Sequence, residues 1–432
     1  MNETIDYRPM WKALGLNLEA HDGLLAALGQ AYRDIYLSQE DRPDGMGYFD
    51  FVISEIHGLR IQELVDARQE GRKVIGTFCL YVPEELVLAV DGICIGLCAG
   101  ADIGTEEAEK VLPRNTCALI KSFFGFTLSG LCPYVSAADL VVGETTCDGK
   151  KKAYEIFDDY KPTFVIEVPH MKTAAGRALW RSELERLARK LEEVSGRQIT
   201  AESLREGVRI VNAKRAALHR LNELRSANPA PISGRDALLI NQIAFYDDPQ
   251  RFTQQVNALC DELEQRVQQG QGVAGEQAPR LLVSGCPMAA PNWKLPFVIE
   301  KSGAVIVGEE SCVGERGTRN LVTETDGDRE SWLDRIADRY LDIDCACFTP
   351  NPERLDHIAA MAQRYRADGV VHYALQFCAP YTIEARHVER RLSERKIPLL
   401  RIETDYSMED LPQLETRVQA FLEMLPRRAA AV

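Results

Sequence analysis

The chain has 432 residues, 45% of them hydrophobic and 27% charged, with a formal net charge of −14 at pH 7. That is more chain than one core usually fills, so two or three domains are expected. The negative charge argues against nucleic acid or an anionic membrane surface as the main partner, and no apolar run approaches the roughly 18 residues of a membrane span.

The opening MNETIDYRPM has neither the basic nor the apolar region of a secretory signal, so a cytoplasmic location is expected. Residues 1–70 read as a helical extension, with Leu24, Leu25, Leu28 and Tyr32, then Phe51, Ile56, Leu59 and Leu64, at helical spacing. The run KVIGTFC (73–79) reads as a first buried strand, and VPEELVLAV after it as a helix with Pro83 in its first turn. Strands follow at 138–143 and 163–168, with a helix over 149–160 between them. Alternation of this kind implies a parallel sheet with right-handed crossovers. From 174 the composition turns to long charged amphipathic helices, and QQGQGVAGEQAPR reads as a linker. Strands resume at 280–284, 304–308, 369–375 and 399–403, and a last helix covers 408–425. The expected class is α/β: two parallel-sheet domains, Rossmann-like or flavodoxin-like, at 71–173 and 279–432. A helical connection (174–278) joins them, and the helical extension (1–70) precedes them.

Twelve cysteines are many for such a chain, and none forms a CxxC pair. The spread argues against zinc ribbons and thioredoxin chemistry, and against a disulfide scaffold. Position along the chain is more informative. In open α/β sheets ligands gather beyond the carboxyl ends of the strands. Cys117 opens a helix and Cys147 follows a strand, so both belong at that edge. Cys132 does not, since a helix running from Cys117 would carry it roughly 22 Å away. Cys286, Cys312 and Cys378 each follow a strand of the second domain, and Cys345 and Cys347 precede a helix that feeds one. Thiolates gathered this way select soft metals and iron–sulfur clusters. Cys79, Cys94, Cys98, Cys132 and Cys260 sit in apolar or helical contexts and read as small buried hydrophobes.

At CALIKSFFG, TTCDGKKK and FCAPYTIEARHVERRLSERKIPLLRIETDYS the chain resembles the 2-hydroxyacyl-CoA dehydratase and benzoyl-CoA reductase family, over nearly its whole length. The resemblance implies a [4Fe–4S] cluster on Cys117, Cys147 and Cys378, in a cleft between two α/β domains. SGCP, ESCVG and DCACF look like the branch called double-cubane cluster proteins, which implies an [8Fe–9S] cluster. Its second cubane would fall on Cys286, Cys312 and Cys345, with Cys347 as the alternative to Cys345. That branch further implies a homodimer, a separate ATP-dependent iron–sulfur activator as electron donor, and reduction of small molecules such as acetylene, azide or hydrazine-like substrates. No GxxxxGK[ST] occurs, in keeping with electrons energised elsewhere. Lys150, Lys151 and Lys152 could dock the activator, balance cluster charge, or form a solvated helix start.

Three strand-edge groups are candidate proton donors for such a reduction: His170, Glu144 and Glu309. Two other functions compete with the activator-dependent reductase. One is a single-[4Fe–4S] subunit of a 2-hydroxyacyl-CoA dehydratase or benzoyl-CoA reductase, acting on a thioester with an unlike partner subunit. The other is a non-enzymatic iron–sulfur electron carrier. A structural zinc protein ranks last, because zinc sites favour closely paired ligands.

Overall fold

The computed structural model describes residues 5–426. Its architecture is α/β, with two four-stranded parallel sheets. The first contains β1 (Val74–Thr77), β2 (Ile93–Gly96), β3 (Leu140–Glu144) and β4 (Thr163–Ile166), in the order β2-β1-β3-β4. The second contains β5 (Arg280–Gly285), β6 (Val305–Glu310), β7 (Gly369–Leu375) and β8 (Leu399–Thr404), in the order β6-β5-β7-β8. The same winding therefore occurs twice. In each sheet the chain reverses its direction of growth beside the first strand, which is where such folds open a crevice.

The strands are apolar throughout because both faces are covered. Val74 and Val141 face one layer and Ile75, Leu140 and Val142 the other, as a two-residue period requires. Ile75 stands in register with Cys94 on one side and Leu140 on the other. The first face is covered by the N-terminal helices together with Pro249–Gln268 and part of Ala201–Leu224. In the second sheet Leu281, Val283 and Val371 face one core while Leu282, Val307 and Val370 face the other.

One helix crosses over. Arg329–Leu341 lies between β6 and β7 in sequence, yet Trp332, Leu333, Ile336 and Tyr340 join Ile75 and Val142 in the core of the first sheet. The turn after that helix, with Cys345 and Cys347, is thus anchored on the opposite lobe from the strands that flank it.

Three differences from expectation lie near the thiols. Strand β1 ends at Thr77, two residues short of Cys79. Strand β2 is an addition, too short to stand out beside VPEELVLAV. The helix opened by Cys117 stops at Leu128, and Cys132 caps a separate short helix, Pro133–Ala137. Among the described residues no helix is long and apolar enough to cross a membrane.

Candidate functional site

Three thiols sit where a helix begins. Cys117, Cys147 and Cys378 are the N-cap residues of Ala118–Leu128, Asp148–Phe157 and Ala379–Glu394. The Cys147 sulfur accepts from the Lys150 backbone N–H at 3.4 Å. Helix starts carry free N–H groups and partial positive charge, which favour a thiolate. A further backbone bond, from Ala118 N–H to the Gln376 carbonyl at 3.4 Å, ties the Cys117 helix to the turn after β7. That turn needs Phe377 at φ 63°, an uncommon conformation for an aromatic residue, to bring Cys378 round.

Cys286 is placed by Gly285. A β-carbon there would stand 1.9 Å from the Tyr373 carbonyl oxygen, so only glycine lets β5 approach β7 this closely. The Cys286 N–H then donates to the Tyr373 carbonyl at 2.9 Å, and the Cys286 sulfur accepts from Leu375 N–H at 3.4 Å.

These elements meet at a cavity of about 110 Å³ between the two sheets. Nine of the twelve cysteines line it: Cys117, Cys147, Cys378, Cys286, Cys312, Cys345 and Cys347, together with Cys79 and Cys98. Among the described residues its wall includes no aspartate, glutamate or histidine, and one cation, Lys150. Cys117 lies against Cys378, and Cys378 against Cys286; separately, Cys79 lies against Cys312 and Cys347 against Cys345. Seven of the thiols thus form a row of three, with Cys286 beside Cys378, and two pairs that Arg316 and Tyr381 bridge into a second group.

The two groups differ in electrostatics. Arg316 is wholly buried, donates to Glu310 at 2.7 Å, to the Cys312 sulfur at 3.4 Å and to the Tyr381 hydroxyl. The Tyr381 hydroxyl lies 3.7 Å from the Cys345 sulfur. The Cys347 hydrogen bond first, and then Arg316, bring Cys345 down to about 6. The bond from Cys79 first, and then Arg316, hold Cys312 below the ordinary thiol range. In the other group, donation to Cys378 and then burial push Cys117 up, and burial pushes Cys147 up.

The three groups read as proton donors lie elsewhere. Glu144 is buried and accepts from Lys150, from the Thr146 hydroxyl and from the Tyr154 hydroxyl. Glu309 is buried in a two-pronged pair with Arg225, at 2.5 and 2.6 Å. Neither lines the cavity, nor does His170, which is exposed. A strand-end carboxylate here serves as counter-charge to a buried cation. Of the three lysines after Cys147, Lys150 turns inward, while Lys151 pairs with Asp148 and Lys152 with Glu155.

Cys79 and Cys98 lie in the cavity wall, against their reading as interior hydrophobes. The available signal was the strand-end rule applied to the other thiols. Cys79 follows β1 once that strand is ended at Thr77, and Cys98 follows β2. Cys94, Cys132 and Cys260 lie outside this cavity.

The donor set fits a soft-metal group: many thiols, one buried lysine, N–H groups aimed at sulfur, and otherwise apolar walls. Among the described residues no three metal-ligating side chains are already drawn around a single ion. The sulfurs line the wall of a chamber.

Comparison with known proteins gives a consistent picture. Residues 79–425 match the family model described as 2-hydroxyglutaryl-CoA dehydratase, D-component. The chain is 40% identical to "Putative dehydratase subunit YjiM" of Escherichia coli (strain K12), over 86% of this chain and 96% of that protein. It is 27% identical to the (R)-phenyllactyl-CoA dehydratase beta subunit of Clostridium sporogenes, over 83% of this chain and 93% of that one. It is 25% identical to a benzoyl-CoA reductase subunit of Thauera aromatica, over 76% of this chain and 85% of that one.

Proposed function

Because the chain belongs to the family described as 2-hydroxyglutaryl-CoA dehydratase, D-component, we propose that it is an iron–sulfur enzyme whose thiol-lined cavity takes an [8Fe–9S] double-cubane cluster. Its substrates in this reading are small unsaturated or nitrogen-containing molecules. The observation that carries the reading is the convergence of nine thiols on one cavity, more than a single cubane can use.

Cys117, Cys147 and Cys378 would hold one half of the cluster. Cys286, Cys312 and Cys345 would hold the other, with Cys347 as the alternative to Cys345. Cys79 joins the candidates because it hydrogen-bonds Cys312. Bound there, the cluster supplies electrons near the low end of the iron–sulfur range, roughly −700 mV. The protein's part is to offset the accumulated negative charge with Arg316, Lys150 and the N–H groups of Lys150 and Leu375. Electrons would come from a separate ATP-dependent iron–sulfur activator, and the functional unit would be a homodimer.

A second reading is favoured by the names of the relatives. Two of those described above are subunits of enzymes named for CoA thioesters. In that case one [4Fe–4S] cluster on Cys117, Cys147 and Cys378 would serve a dehydratase or reductase with an unlike partner subunit.

Turnover separates the two. With activator, ATP and reductant, the first reading expects reduction of acetylene or azide by this chain alone and no saturable binding of a 2-hydroxyacyl-CoA. Tight thioester binding with no acetylene or azide reduction would install the second reading.

A further inference from the structure

A second cavity, of about 80 Å³, adjoins the thiol chamber. Thr77, Leu80, Gly96, Phe245 and Cys312 are common to both walls. Where the first cavity is lined by sulfur and apolar groups, the second is lined by charge. Among the described residues Lys214, Arg215 and Arg339 face it, with Glu84 as the one lining carboxylate.

Two of the cations are answered. Lys214 pairs with Glu84. Arg215 pairs with Glu85 at 2.7 Å and donates to the Tyr340 hydroxyl at 2.9 Å. Arg339 is the exception. It is 5% exposed, and its Nε donates to the Asn320 carbonyl at 3.0 Å and its Nη2 to the Gly317 carbonyl. Its guanidinium stacks 4.6 Å from the centre of the Tyr340 ring. Among the described residues Arg339 makes no direct ion pair, and the one buried carboxylate that acts on it, Glu85, is already paired with Arg215. Burial, and then the neighbouring Arg215, lower its pKa to about 10, which still leaves it charged at neutral pH. Carbonyl dipoles do not cancel a full charge, and one carboxylate shared by two buried guanidinium groups leaves one positive charge over. In a chain with 65 acidic residues, this cavity is left with an excess positive charge.

We propose that the second cavity binds a small planar oxyanion, a carboxylate or nitrate of a few atoms, on the Arg339 guanidinium beside Cys312. The planar fork of a guanidinium matches such an anion, and a cavity of about 80 Å³ suits a ligand of a few atoms. The common wall at Cys312 sets the anion against the proposed cluster. Its use as a substrate rests on the function proposed above, whereas its binding does not.

Formate is the probe. Titrated by calorimetry into the full-length protein purified without oxygen, it is expected to bind saturably. Arg339→Gln, which keeps an amide donor for the Asn320 carbonyl, should weaken binding by about tenfold or more in protein that remains folded by circular dichroism. No saturable binding, or equal binding by the folded variant, overturns the proposal. Should the variant fail to fold, crystals of the unaltered protein soaked in bromide decide the matter. An anomalous peak is expected beside Arg339 Nη1, and its absence there overturns the site. Protein that lacks iron but binds formate would defeat the cluster reading and leave this one standing.

Discussion

Cys378→Ser, prepared without oxygen, is expected to lose at least half of the protein's iron and to lower turnover by more than the roughly ten- to hundredfold that loss of an outer-shell partner costs. Cys378 is the joint of its thiol group, lying against both Cys117 and Cys286. It also caps Ala379–Glu394, so its sulfur sits at the positive end of a 16-residue helix. Serine is close in size and is itself a favoured N-cap residue but is not a soft donor, so the helix should survive while the metal does not. Cys260→Ser is the control. Cys260 is buried in Pro249–Gln268, away from the cavity, and its variant should keep its iron. Full iron in Cys378→Ser would remove this residue from the site.

Arg316→Met should be the most destabilising change near the cavity. The guanidinium has no solvent exposure and both it and Arg354 are held on Glu310. Removing one member of a buried ion pair costs about 3–5 kcal/mol, a large share of the roughly 5–15 kcal/mol that holds a typical fold. The expected result is a lower urea midpoint, measured on protein without metal. In protein that retains a cluster, loss of a positive charge beside Cys312 and Cys345 should also lower the midpoint potential, because the reduced, more negative state loses its counter-charge. An unchanged midpoint potential would mean that Arg316 is structural only. A raised one would contradict its role as counter-charge.

Much of this arrangement was legible in the sequence. Runs such as RLLVSG and GVVHYAL announced strands buried on both faces, and the strand-end rule brought Cys117, Cys147, Cys286, Cys312 and Cys378 to one chamber. It missed Cys79 and Cys98 because it depends on knowing where a strand stops. A two-residue error at Thr77 moved Cys79 from the edge into the interior, and ICIG was too short to be seen as a strand at all. The partners of buried charges were beyond reach for a different reason. Glu309 and Arg225 are 84 positions apart, and Arg316 finds Tyr381 across 65. No local pattern encodes such pairs, so Glu144 and Glu309 looked like free acids at strand ends. Nor does sequence order tell that Arg329–Leu341 crosses to the first lobe and carries Cys345 and Cys347 with it.

The most direct test of the central claim is the iron and acid-labile sulfide content of the protein purified under strict exclusion of oxygen. A double-cubane cluster predicts about eight irons per chain, with sulfide in slight excess. About four irons would contradict the double cubane in favour of a single [4Fe–4S] site. Colourless protein without iron would contradict the iron–sulfur reading as a whole.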